Sequence, residues 1–459
     1  MSTPVNSLTQ YIELYTTHKA DINANSAPAL NALRPQALSQ LTDTALPHTD
    51  TEGYERTSIA EMFAPDFGVN IMRMNIPVDV AASFRCDVPN ISTLLGIVVN
   101  DSFHPTATLH NKLHDGVIFG SLCKNATTHS ELVAKHYGSL APLTNPSVAL
   151  NTLLCQDGVL IYVPKSVKLE KPLQLVNIFS SPAPLAAFRR ILVVLEDDAE
   201  ARLLICDHAQ DNEQQYLASQ VIEVIMGRNS IFDLYDIEDS SPNTRRHSML
   251  YASQSDGSNL LVNGMTLECG TTRNDYNIQL PGSHAETTLA GMAIASGTQH
   301  VDNNSQVTHT GCSSKSNQLF KYVIDDNATG AFEGGILVAP GAQYTEAYQS
   351  NRNLLASTGA RMHTKPQLEI YNDDVKCSHG ATTGQLDGEA LFYMRSRGIP
   401  ESEARTMLMQ AFMTDVIDTV RIPGLCERLH YLVDKRFQGG LRQCGSCGSS
   451  CHDTKTKQQ

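Results

Sequence analysis

A thiol and an imidazole lie two residues apart in the stretch Lys365-Pro-Gln-Leu-Glu-Ile-Tyr-Asn-Asp-Asp-Val-Lys-Cys-Ser-His-Gly-Ala-Thr382. On an extended strand Cys377 and His379 point to the same side, because side chains alternate along it. A soft sulfur beside a borderline nitrogen suits iron, zinc or copper. Two ligands fall short of the four that a stable structural site uses. The pair is therefore either incidental or a half-site that another chain completes. A second group crowds the tail, Cys444-Gly-Ser-Cys447-Gly-Ser-Ser-Cys451-His452. Three thiols and a histidine make up a tetrahedral set, but the flexible Gly/Ser spacers favour a disordered tail over an accessory metal or sulfur-handling site. The other eight of the 11 cysteines, Cys86, Cys123, Cys155, Cys206, Cys269, Cys312, Cys377 and Cys426, are spread singly. That spacing fits neither a disulfide scaffold nor a zinc finger, and most of them read as buried, small apolar side chains.

Other chemistries are missing or weak. There is no G-x-x-x-x-G-K-[ST] loop and no G-x-G-x-x-G after a strand, which argues against an intrinsic NTPase or a dinucleotide enzyme. H-E-x-x-H and G-x-S-x-G are absent too. Asp325-Asp326 and Asp373-Asp374 supply carboxylates for a polysaccharide-active enzyme. Against that reading, aromatic residues make up 6% of the chain and tryptophan is absent, which leaves little for sugar stacking. The 459 residues carry a formal net charge of −14, which disfavours non-specific binding to nucleic acid. The N-terminus, MSTPVNSLTQ, lacks the basic stretch and apolar core of a signal peptide, and no run approaches the roughly 20 apolar residues of a membrane span. The expectation is a cytoplasmic protein without membrane or nucleic-acid partners.

Three kinds of segment must position these residues. Leu8, Tyr11, Ile12 and Tyr15 share a helical period, and Leu30, Leu33, Leu38 and Leu41 form a second helical segment that Pro35 interrupts. A polar connector, Leu46 to Gly53, suits a mobile linker, and a further helix is expected around Ser130 to Tyr137. From Gly158 to about Ile370 the pattern turns to short β-rich runs such as Val159–Val163, Ile191–Leu195 and Arg202–Cys206. Asn, Asp, Ser and Gly fill the gaps between them. Such regular short strands suit a sandwich, a barrel or a β-solenoid; the length and the scarcity of hairpin dipeptides favour stacked coils with parallel pairing. Helical period returns after Gly388. Ala404, Met407, Leu408, Ala411, Phe412 and Val416 form one stripe, and Met409, Met413 and Ile417 another. A helix apolar on two sides needs covering twice, by its own domain and by a partner. After Pro423, Leu425, Leu429, Leu432 and Val433 mark a last helix. This hairpin is expected to cap the exposed end of the solenoid. The organisation reads as a helical and mixed region over 1–146, a β-helix core over 147–388, a helical domain over 389–440 and a cysteine-containing flexible tail over 441–459.

The stretch Leu368 to Thr382, followed by Leu391-Phe-Tyr-Met-Arg-Ser-Arg-Gly-Ile399, closely resembles the C-terminal signature of the SufB/SufD family of iron–sulfur cluster assembly proteins. Weaker similarity extends through Tyr54-Glu-Arg-Thr57 and Asp157-Gly-Val-Leu-Ile-Tyr-Val-Pro164. SufB-type chains carry a glutamate directly after the histidine and a cysteine shortly before a Gly-Ala-His-Thr stretch. Here the sequences are His379-Gly-Ala-Thr382 and Ala360-Arg-Met-His-Thr364, which is the SufD form. The resemblance implies a mainly β fold, a right-handed parallel β-helix flanked by N-terminal and C-terminal helical regions. It implies a non-catalytic scaffold with a SufB paralogue and the ABC-type ATPase SufC as partners, and a homodimer when the chain is expressed alone. No tightly bound cofactor is expected, only a transient iron–sulfur cluster at the interface with SufB, with His379 in the position of the cluster-forming histidine and Cys377 beside it. Phe392, Tyr393, Arg395 and Arg397, with Met409 and Met413 on the following helix, fall where the ATPase is expected to dock. A structural relative that never touches iron would differ from this reading only at His379.

Overall fold

The computed structural model describes residues 7–78, 92–105, 113 and 116–438. The tail residues Cys444, Cys447, Cys451 and His452, together with Cys86, lie outside them. The chain is mainly β and forms a β-solenoid of about 8 turns, with 24% helix. From Val159–Val163 onward, consecutive strands alternate between a ten-stranded and a nine-stranded sheet. Within each sheet, neighbours along the core are parallel and one coil apart: Tyr216 pairs with Thr244, Thr271 with His300, and His300 with Thr329. The runs at Ile191 and Arg202 prove to be the two strands of a single coil, Leu185–Leu195 and Glu200–Ala209.

The turn residues make up one corner of the solenoid. Ser166, Asp198, Asn229, Gly257, His284, Ser313 and Tyr344 all have positive φ. Each donates its N–H to a carbonyl of the next coil, for example Asp198 to Arg228 at 2.7 Å, Asn229 to Asp256 at 2.8 Å and Tyr344 to Asp374 at 2.8 Å. Asn, Asp, Ser and Gly adopt this conformation at low cost. Tyr344 is a bulky residue in that conformation and is 59% exposed near the last coil.

The sheets enclose an apolar interior that includes Leu203, Leu234, Val262 and Leu289. In the earlier coils the outer faces also carry apolar side chains, such as Phe188 and Leu217 on one sheet and Leu204 and Cys206 on the other, which is why those strands read as nearly continuous hydrophobic runs. The N-terminal helices Ser7–Ala24 and Arg34–Thr42, with Pro146–Leu154, bury Leu8, Tyr11, Leu41 and Leu150 in one cluster with Ala186, Phe188 and Leu217 of the nine-stranded sheet. Pro35 stands at the start of the helix Arg34–Thr42, where its missing N–H costs nothing. The mixed region also contributes strands. Leu94–Val99 pairs in parallel with Leu173–Phe179, and Ile118–Ser121 antiparallel with Val159–Val163, so the sheets begin upstream of residue 147.

Two expectations are corrected. The connector is not a mobile linker: Leu46 is buried in the N-terminal cluster and Pro47 O accepts from the Ala60 N–H at 3.0 Å, while just beyond it the Arg273 guanidinium lies 4.1 Å from the centre of the Tyr54 ring and Thr57 donates to Asp302 at 2.6 Å, which straps the segment to the solenoid. The C-terminal hairpin does not cap the last coil. Helices Glu401–Ile417 and Pro423–Phe437 pack Met413, Val416, Leu425 and Leu429 against Cys206, Ile237, Met265 and Met292 on the outer face of the ten-stranded sheet. That face would otherwise expose apolar side chains along its length, so burying it outweighs covering one end.

Candidate functional site

The end of the solenoid is left open. Lys376–Gly384 terminates the ten-stranded sheet and Arg361–Ile370 the nine-stranded one. Each has a pairing partner on one side only among the described residues, Glu346–Leu355 and Thr329–Val338 respectively. The free edges offer two rows of unpaired backbone groups, a template for another chain. Ile370 and Tyr371 are 40% and 60% exposed there, and Tyr348, on the neighbouring strand, is 42% exposed.

Strand register decides where the two predicted ligands point. One inward column runs through Leu94, Leu173, Leu203, Leu234, Val262, Leu289, Gln318, Gln349 and His379. It is aliphatic for six coils and then becomes amide, amide and imidazole. Gln318 and Gln349 are buried, whereas His379 is exposed because no coil lies beyond it. Gln349 Nε2 donates to Gln318 Oε1 at 3.3 Å, and that oxygen also accepts from Ser305 Oγ at 2.7 Å. Gln349 Oε1 and Thr364 Oγ1 are buried with no hydrogen-bond partner among the described residues. A buried polar atom without a partner costs about 1–3 kcal/mol, so the polar end of the core stands out from its aliphatic body.

Cys377 shares the inward side with His379, as the alternation predicts, and pairs in register with Ala347. It is half-buried against the cluster Ile336, Val338, Ala342 and Ala347. Burial pushes its thiol pKa above the usual value, so little of it is thiolate near neutral pH. The exposed imidazole is the more available ligand of the two.

The predicted docking residues divide into two groups. Helix Gly388–Ser396 begins with Asp387 Oδ1 accepting the N–H groups of Glu389 and Ala390 at 2.9 and 3.2 Å, and it buries none of its own residues. Nine residues with no buried face make a marginal helix, which suits a surface that packs on something else. Phe392 is 73% and Tyr393 57% exposed. Arg397 Nη2 donates to the Tyr393 hydroxyl at 3.0 Å, and Arg395 pairs with Glu401 at 3.2 Å. Met409 and Met413 lie elsewhere: both are buried between the helix and the sheet. Their assignment to the docking surface is corrected; Met407, which is 44% exposed, faces outward instead, although Ala404 and Val416 of its own stripe are buried.

Sequence reasoning missed two features. A cleft of about 470 Å³ opens on the flank of the last coils, lined by Glu55, Arg56, Asp302, Glu333, His363 and Lys365. It depends on the folded-back connector, which the sequence does not announce. Buried ion pairs are the other: Arg246 with Asp207 at 2.9 Å inside the solenoid, and Arg190 with Glu223 at 2.9 Å beneath the N-terminal region, where Glu223 also accepts from the N–H groups of Gly138, Leu140 and Ala141. These residues looked like ordinary strand positions.

The comparisons agree with this geometry. Residues 178–412 match the model of the SUF system FeS cluster assembly SufBD core domain, and residues 5–175 match the SufBD protein N-terminal region. An iron-sulfur cluster assembly SufBD family protein of Synechocystis sp. is 29% identical over 425 residues, covering 90% of each chain. The iron-sulfur cluster assembly protein SufD of Bacillus subtilis is 28% identical, over 89% of this chain and 94% of its own. That of Escherichia coli is 37% identical over 170 residues, 37% of this chain and 40% of its own. The core match alone spans half of the sequence, and the chain belongs to the SufBD family of iron–sulfur cluster assembly proteins, within which it is most like SufD.

Proposed function

We propose that this chain is a non-catalytic scaffold subunit whose open solenoid end, joined to a SufB-type paralogue, holds a nascent iron–sulfur cluster while a SufC-type ATPase docks on its C-terminal helices. The observation that carries this reading is the inward column, which changes from leucine to Gln318, Gln349 and the exposed His379 where the stack ends. The edge strands carry Lys365 and Lys376, charges that hinder indiscriminate pairing, and beside them present an imidazole, a half-buried thiol and exposed aromatic side chains.

The chemistry follows from an incomplete ligand set. His379 and Cys377 supply two ligands from one side, and the remaining positions fall to the paralogue and to sulfide. As iron binds Cys377, the thiol loses its proton to solvent, which its raised pKa resists. Fewer thiolates than four give a cluster that is easier to release, as a scaffold requires. The cluster is cargo, and no tightly bound cofactor belongs to this reading.

The exposed helix Gly388–Ser396, with Phe392, Tyr393, Arg395 and Arg397, is the ATPase surface in this reading. Aromatic and arginine side chains at such positions are typical interface anchors. Cytoplasmic residence belongs to the same proposal. In its support, Cys155, Cys206 and Cys269 are buried free thiols, and no helix among the described residues is long and apolar enough to cross a membrane. Co-expression with a SufB-type paralogue and a SufC-type ATPase tests the arrangement. The expected result is a stable complex that survives gel filtration. Purification of the chain without both partners overturns it.

A further inference from the structure

The turn between the last two helices gathers a carboxylate, a thiol and an imidazole. Ligand atoms of Asp418, Cys426 and His430 all lie within 4.8 Å of one another, with His430 Nε2 4.0 Å from Asp418 Oδ1. Cys426 and His430 are four residues apart on Pro423–Phe437 and so share a helix face. Asp418 is the C-cap residue of Glu401–Ile417. An anion at a helix C-terminus opposes the helix dipole, so that position favours a nearby cation.

Both ligand-bearing elements are fixed to the solenoid. Asn263 Nδ2 donates to Val416 O at 3.1 Å and Thr419 Oγ1 at 2.7 Å, and Arg421 Nη1 pairs with Asp233 at 2.8 Å. Leu425 and Leu429 are buried beneath the second helix. In a tetrahedral zinc site, bonds of about 2.0–2.3 Å put ligand atoms about 3.3–3.8 Å apart. The present set is wider than that by about 1 Å, a difference on the scale of side-chain rotation.

We propose that Asp418, Cys426 and His430 form a three-ligand site for a zinc-class divalent cation, leaving the fourth position to water or to a partner's side chain. Sulfur and imidazole donors select this class over magnesium or calcium. On binding, the Cys426 thiol gives its proton to solvent as the sulfur–metal bond forms. The bound ion ties the end of one helix to the face of the next and fixes the turn between them. This site is independent of His379 and of the assembly reading.

The test uses the full chain with Cys444→Ser, Cys447→Ser and Cys451→Ser, which silences the tail thiols. Titration with Co2+ is followed by the visible bands of tetrahedral cobalt and the near-ultraviolet thiolate-to-cobalt band. One equivalent is expected to bind and to be displaced by Zn2+. Cys426→Ser removes the thiolate band, and His430→Ala weakens binding roughly tenfold or more, both with unchanged circular dichroism. Cys377→Ser leaves the band in place. Absence of the band in the parent chain, its survival in Cys426→Ser, or its loss in Cys377→Ser each overturns the proposal.

Discussion

Replacing Met413 by alanine tests where the C-terminal hairpin sits. Met413 is 0% exposed within a cluster that joins both helices to the outer face of the ten-stranded sheet. Truncating a buried methionine costs about 2–5 kcal/mol, made up of lost transfer free energy and the cavity left behind. The same cluster contains Met265, Met292 and Met409, whose flexible side chains can partly refill the space. The expected cost is therefore in the lower half of that range, about 2–3 kcal/mol. Met407, six residues earlier on the same helix and 44% exposed, loses little on truncation; Met407→Ala should stay within about 0.5 kcal/mol. Urea denaturation of both variants, followed by circular dichroism, gives the comparison. A cost for Met407→Ala equal to or larger than that for Met413→Ala would refute the packing described here and restore Met413 to the outer surface.

Three further outcomes follow. Phe392→Ala with Tyr393→Ala should leave the melting temperature of the isolated chain unchanged, because both rings are exposed, and should reduce co-purification with a SufC-type ATPase at least tenfold; unchanged recovery of the ATPase would move the docking surface elsewhere. Glu238 is buried, and burial raises its pKa from 4.5 to about 7, although Arg246 pulls the other way. Between those values the folded chain holds a proton that the unfolded chain has released, so stability falls as pH rises from 4.5 to 7, by at most about 3 kcal/mol. Glu238→Gln should flatten that part of the profile in urea titrations at stepped pH, and parallel profiles for variant and parent would contradict it. Ending the chain after Gly440 should leave complex formation with the paralogue and ATPase unchanged by gel filtration; loss of the complex would assign the tail thiols an assembly role.

Much of the fold was legible because the solenoid writes its geometry into local residue choice. The Asn, Asp, Ser and Gly residues between short runs are the left-handed corner positions, such as Asp198, Asn229 and Gly257. Period-2 alternation placed Cys377 and His379 on one side, and register with Gln349 confirms that His379 belongs to the inward column. Which side chains of the two apolar helix stripes meet the sheet was not legible. Both stripes contribute to that contact, Val416 from one and Met413 from the other, while Met407 stays exposed, and only the apolar outer face of strands such as Leu204–Cys206 decides which side chains are covered. The open end was missed for a related reason: the local pattern says that a helix needs cover, not which surface supplies it. Cys426 read as a lone thiol because Asp418 reaches it across a turn, and the strap around Tyr54 depends on Arg273, which is distant in sequence.

The central claim is that the exposed end of the inward column takes part in building the cluster. Its most direct measurement is the iron and acid-labile sulfide content of the co-expressed complex, purified without oxygen, for the parent chain and for His379→Ala. His379 is exposed, so the variant should fold and assemble normally. The account predicts an intact complex in which His379→Ala has lost most of its iron and sulfide. An intact variant complex with parental iron and sulfide would contradict it and leave this chain a structural partner.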